Sequence, residues 1–122
     1  MIRVELARII ISDNNEPQII FLKEAGGERS LPIVIGRFEA IAIDRLARGR
    51  PSSRPLTHDL LAALIGRLGG ILQDVVIDDP RDHTYPATLR IRRKGRLIRV
   101  DARPSDAIAV ALALDAPIYL DG

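Results

Sequence analysis

The stretch VDARPSDAIAVALALDAP, residues 100–117, reads in two ways. AIAVALAL alternates small and large apolar side chains, as a strand with one covered face does. Pro104-Ser105-Asp106 instead opens a helix: Pro suits the first turn, Ser105 can cap, and Ala is the best helix former. Wound at about 100° per residue, Ile108, Val110, Leu112 and Leu114 scatter around the axis. Such a helix is buried on most sides, and its alanines admit close neighbours. The spacing therefore predicts a helix, with Asp101, Arg103 and Asp106 at its mouth. Free N–H groups, a partial positive charge and Arg103 make that mouth a candidate anion or phosphate site. Asp106 opposes an anion unless a cation bridges it or Arg103 pairs with it. A plain Arg103–Asp106 salt bridge explains the same residues, and both readings stand.

Working outward, the chain alternates strand and helix patterns. IRVELARIII (2–11) and QIIFLKE (18–24) make a hairpin about the DNNEP turn (13–17), and LPIVIG (31–36) is a third strand. GRFEAIAIDRLARG (36–49) has helical spacing and ends on Gly49. Thr57 suits the N-cap of a second helix, THDLLAALIGRLGG (57–70). ILQDVVIDD (71–79), YPATLRIRR (85–93) and RLIRVDA (96–102) are strands, the last two joined through Lys94-Gly95. PIYL (117–120) adds a short final strand after the third helix. Hairpins followed by helices, twice over, predict a single α+β domain spanning residues 1–122, with mixed β-sheets and about three helices. RPLTHDLLAAL (54–64) and RPSDAIAVAL (103–112) echo one another, although Pro and Asp favour helix starts generally.

Composition narrows the class. At 122 residues, 47% hydrophobic and 28% charged, the chain is long enough for a core and too apolar to be disordered. Aromatics are 3%, so the core is aliphatic. With no Cys, disulfide scaffolds, thiolate metal sites and Cys nucleophiles are excluded, which suits a reducing compartment. No signal-like layout opens the chain, because Arg3, Glu5 and Arg8 interrupt it, and no apolar run is long enough for a spanning helix. A cytoplasmic protein without membrane attachment is the expectation. Net charge is +2, but RIRRKGRLIR (90–99) holds six basic groups and no acid. Arg90, Arg92, Arg93, Lys94 and Arg96 form a candidate nucleic-acid-binding hairpin, acting on the backbone without reading sequence. Its lack of aromatics argues against base stacking there. A GC-rich genome accounts equally for so many arginines.

The helix wheels raise sharper questions. In the first helix Arg37, Asp44, Arg45 and Arg48 share one face, while Glu39 falls inside the arc of Ala42, Ile43 and Leu46. A carboxylate there is buried or at the lip of a cavity, or it accepts backbone N–H bonds in the first turn. In the second helix Leu60, Leu61, Leu64, Ile65 and Leu68 form the apolar arc. His58 stands at its edge, and Asp59 points away, where the helix dipole alone explains it. His83, in the PRDHT turn, reads as exposed. Walker, GxGxxG, HExxH, EF-hand, GxSxG and Cys/His zinc patterns are absent from the sequence.

LPIVIGRFEAIAI (31–43), RPLTHDLL (54–61) and DARPSDAIAVAL (101–112), with VVIDDPRDHTYPATL (75–89) between them, resemble the bifunctional nuclease domain family of bacteria and plants. The resemblance runs from about residue 2 to 120. Where relatives commonly have Pro, an aromatic and Gly, this chain has Arg37, Val34 and His83. Similar domains are often followed by a UVR-type helical segment, which residues 1–122 do not include. The resemblance implies nuclease activity on DNA and RNA. Phosphodiester hydrolysis needs an activated water, neutralisation of phosphate charge and commonly a divalent metal, Mg²⁺ or Mn²⁺. Glu39, Asp106 and Asp59 are the candidate base or metal carboxylates, His58 the general acid or base, and Arg103 the phosphate clamp. The alternative is a non-catalytic regulatory or interaction module in which these residues form a structural polar network. The apolar third helix and alternating strands also suit a homodimer.

Overall fold

A computed structural model describes residues 1–13, 17–78 and 85–121. The PRDHT turn with His83 and most of the DNNEP turn lie outside those residues. Alternation of apolar and polar side chains builds β1 (Ile2–Ile10), β2 (Gln18–Glu24) and β3 (Ser30–Ile35), which pair antiparallel in succession. Two helices follow, α1 (Arg37–Ala47) and α2 (Thr57–Arg67). A second antiparallel meander comprises β4 (Ile71–Asp78), β5 (Ala87–Arg93) and β6 (Arg96–Ala102), followed by α3 (Pro104–Leu114) and β7 (Ile118–Asp121).

The expected mixed sheets are one sheet. Its seven strands run in the order β3-β2-β1-β7-β4-β5-β6, so the short last strand joins the two meanders. β7 lies antiparallel to β1 and parallel to β4. Lys94 and Gly95 turn β5 into β6 with φ of +50° and +74°, the left-handed pair that matches strand twist.

One sheet face carries Val4, Ile20, Leu22, Ile33, Val75 and Ile77, all buried under the helices. α3 lies at the centre of that layer, with Ala107, Ile108, Ala109, Val110 and Ala111 buried on every side of it. The helix predicted over AIAVALAL is therefore the central one. Two cap expectations are corrected. Leu56, not Thr57, is the N-cap of α2, because Asp59 reaches back to accept the Leu56 N–H at 2.9 Å. Arg103 is the N-cap of α3, with Pro104 at its first position and Ser105 buried inside the first turn. The apolar arc of α2 also departs from expectation. Leu60, Leu61, Leu64 and Leu68 are exposed, and Ala62 is the buried residue of that helix.

Candidate active site

The first turns of α1, α2 and α3 meet at one end of the helix layer. Each brings its share of a cavity of about 470 Å³: Phe38 and Glu39 from α1, Thr57 and His58 from α2, and Asp106, with its cap Arg103, from α3. A neighbouring cavity of about 530 Å³ is lined by the ends of β3 and β6, including Gly36 and Asp101. Glu39 and Arg103 line both, so the two form one divided cleft.

A chain of polar contacts crosses that divide. His58 Nε2 stands 2.9 Å from Asp106 Oδ1. Arg103 Nε donates to Asp106 Oδ2 at 3.0 Å, and Arg103 Nη1 reaches Glu39 Oε2 at 3.5 Å. A carboxylate partner accepts from Nε2–H, so the imidazole holds its proton there and Nδ1 is the free acceptor. Burial pushes the Asp106 carboxyl up, but hydrogen bonds from His58 and Arg103 and the Arg103 charge outweigh it and hold it below the usual carboxylate range. Arg103 is raised by its bond to Asp106. The His58 side chain is 12% exposed whereas that of Arg103 is 65% exposed, so the imidazole is held and the guanidinium is presented to solvent.

Glu39 sits at the lip of the cleft rather than within the core. Its carboxylate folds back over Gly36, where an added Cβ would come within 2.7 Å of Oε1. The α1 wheel thus led to the right face, and the side chain turns along it toward Arg103.

Of the five candidate residues, Glu39, His58, Arg103 and Asp106 converge; Asp59 does not. Asp59 accepts from Leu56 N–H and from Arg45 Nη2, each at 2.9 Å, and the backbone bond foremost holds its carboxyl below the usual range. It fastens α1 to the start of α2. Sequence reasoning missed two residues of this cleft. Arg45 lines the 470 Å³ cavity although its wheel position is polar; Nη1 donates to the Arg50 carbonyl and Nε is buried without a partner among the described residues. Phe38 lines it too and is 84% exposed, the most exposed large apolar side chain among the described residues. A phenylalanine followed by Glu39 in the first helical turn was the available signal.

The basic hairpin divides between two sheet faces. Arg90 pairs with Arg99 across β5 and β6, and Arg93 with Arg96, on opposite sides of the pleat. Arg90 forks onto Asp74 with two contacts of 2.6 Å, which raises its pKa further and makes it structural. Arg92 Nε donates to Gln73 Oε1 at 2.7 Å, and Arg93 Nε to the Leu68 carbonyl at 2.8 Å. Lys94 and Arg96 make no side-chain bond among the described residues. The ten-residue run is therefore no continuous patch of free cations.

Among the described residues no group of three or more His, Asp or Glu side chains could hold a metal ion. The cleft carboxylates Glu39 and Asp106 are already bridged by Arg103, and Asp106 is also engaged by His58. These donors do not fit a resident divalent ion. No helix among them is long and apolar enough to cross a membrane.

The family model for the bifunctional nuclease domain matches residues 20–122. The chain belongs to that family. Two uncharacterized proteins of Mycobacterium tuberculosis, from strains H37Rv and CDC 1551, are each 46% identical over 107 residues, covering 88% of this chain and 63% of theirs. The chain thus spans somewhat under two thirds of the length of these curated relatives. Bifunctional nuclease 2 of Oryza sativa subsp. japonica is 28% identical over 108 residues, covering 86% of this chain and 33% of that protein. The family match takes in all three first turns and the whole polar chain from Glu39 to Asp106.

Proposed function

We propose that this bifunctional nuclease domain hydrolyses phosphodiester bonds of DNA and RNA in the cytoplasm, with His58 as the base and Arg103 as the phosphate clamp. The observation that carries the reading is the meeting of three helix N-termini around an exposed arginine and a His–carboxylate pair. Helix N-termini favour anions, because their first N–H groups lack partners and their dipoles point positive end outward.

A phosphodiester approaching the cleft meets Arg103, whose contact with Glu39 is long at 3.5 Å and readily exchanged. Nε stays on Asp106 and fixes the guanidinium plane, while the outer nitrogens take the phosphate oxygens. The proton on Nε2, held toward Asp106, leaves His58 Nδ1 to accept a proton from an attacking water. Asp106 stabilises the imidazolium that forms, and the imidazolium returns the proton to the leaving oxygen. Phe38 offers a face on which an unpaired base can stack, which suits single strands. Lys94 and Arg96 add backbone attraction without sequence preference.

One observation favours a second reading. His58, Asp106, Arg103 and Glu39 already satisfy one another across three helices, so the chain of bonds also suits a structural lock in an interaction module. Cleavage of labelled single-stranded DNA and RNA, with Mg²⁺, with Mn²⁺ and with chelator, separates the two. His58→Gln and Asp106→Asn should each lower cleavage by about 10²–10⁴-fold. Intact substrate in every condition, or variants that cleave as well as wild type, refutes the enzyme reading. Loss of stability alone supports the lock.

A further inference from the structure

β6 ends the sheet on one side and β3 on the other. The β3 edge is blunted by Pro32, which lacks an N–H to offer a neighbour. β6 has no such guard. Its seven residues pair with β5 without a break in register, and they include no proline. Among the described residues nothing pairs with the outward backbone groups of Arg96–Ala102, which form a template for another strand.

Beside that edge runs an apolar groove of about 260 Å³ between α2 and the sheet. Leu61 and Leu64 of α2, Leu68 at its C-cap, and Ile98 and Val100 of β6 line it, each between 40% and 66% exposed. Soluble monomers seldom leave so many large aliphatic side chains together in water. One partner satisfies both the edge and the groove, namely a strand carrying apolar residues on the same face.

We propose that the occupant is a second copy of this chain, joined by antiparallel β6–β6 pairing about a two-fold axis at Val100. A two-fold axis normal to the sheet keeps each side chain on its own face, so it must pass through a residue and not between two. Charge narrows the choice, and among the uncharged residues of β6 only Val100 sets opposite charges of the strand against each other. An axis at Arg99 sets that arginine against itself, and an axis at Asp101 does the same for aspartate. Like charges directly opposite are destabilising. An axis at Val100 pairs Arg99 with Asp101 of the second copy, twice by symmetry, and sets valine on valine. Ile98 then faces Ala102 of the second copy. The two apolar strips become continuous, with an α2 helix above each half. Asp101 lines the larger cavity, so the joint runs alongside the cleft.

The chain contains no cysteine, which makes cross-linking clean. In the Val100→Cys variant the two thiols fall on paired Cα atoms about 4.5–5.5 Å apart, within disulfide reach. Mild oxidation should convert most of it to covalent dimer. Arg99→Cys and Asp101→Cys, each about 8 Å from its own symmetry mate, should stay uncross-linked. Sedimentation gives a second readout that does not depend on a thiol. Arg99→Asp should weaken dimerisation at least tenfold, and combining it with Asp101→Arg should restore it. A wild-type protein that stays monomeric at about 100 μM overturns the proposal. So does cross-linking at position 99 or 101 in place of 100, or a charge swap that fails to restore the dimer.

Discussion

Arg90 reads from sequence as one of five cations for nucleic acid, yet it forks onto a carboxylate that is only 7% exposed. Replacing Arg90 with Gln leaves Asp74 buried beside no cation. Removing one partner of a buried pair costs about 3–5 kcal/mol. The Arg90 side chain is itself 22% exposed, so water reaches the vacated space and the loss should be about 2–3 kcal/mol. Unfolding entropy near 2.1 cal/mol/K per residue gives about 0.26 kcal/mol/K for 122 residues. Tm should therefore fall by about 8–12 °C, read by calorimetry or circular dichroism. Asp74→Val combined with Arg90→Leu should regain most of that loss, because neither charge is then left unpaired. Oligonucleotide binding by folded Arg90→Gln should keep the wild-type dependence on salt. If Tm moves by less than about 2 °C while the salt slope drops by about 0.7–0.9, one phosphate contact has been lost. The Asp74 fork would then be the wrong account of Arg90.

Two further outcomes follow from the site. Asp59 and Asp106 are held below their ordinary value of 3.8, so their contribution to stability is complete above that pH and drains away as pH falls through the lower folded values. Urea midpoints should fall between about pH 5 and pH 2, and the slope should flatten in Asp59→Asn and in Asp106→Asn; an unchanged slope contradicts the assigned bonds. Gly36→Ala requires no unusual backbone, since φ is −75°, but its Cβ would press on the Glu39 carboxylate. Cleavage should change by at least tenfold, with Tm near wild type, because only the end of a flexible side chain must move; unchanged cleavage or a large fall in Tm refutes that account.

Local patterns carried most of the elements. β2 and β6 occupy the stretches that alternation and turn residues mark out, and Lys94-Gly95 adopts the hairpin geometry that its glycine allows. The all-round apolar character of residues 107–111 correctly marks a central helix. Pairing across long separations was not legible. Nothing near residues 118–121 says that this strand sits between β1 and β4, because that position depends on which edges the two meanders leave open. The wheel of α2 shows an apolar arc but not its destination, and an arc left at the surface has the same pattern as one in the core. The hairpin arginines failed for a related reason: a run of like charge says nothing of Asp74, sixteen residues away, or of the Leu68 carbonyl, twenty-five away.

The cleft depends on small side chains at its centre. Ala107, Ala109 and Ala111 have no exposed surface, and α3 packs on α1 and α2 as well as on the sheet. Helix axes approach to about 8–10 Å according to the side chains between them, and alanine permits the near end of that range. Close approach brings the first turns of α1 and α2 beside that of α3, so Glu39, His58 and Asp106 can all reach Arg103 or one another. Larger side chains along α3 would push the helices apart, and the 2.9 Å His58–Asp106 contact would be among the first to open. The polar mouth of residues 101–106 and the apolar body that follows are thus one device: the body sets the spacing at which the mouth can work.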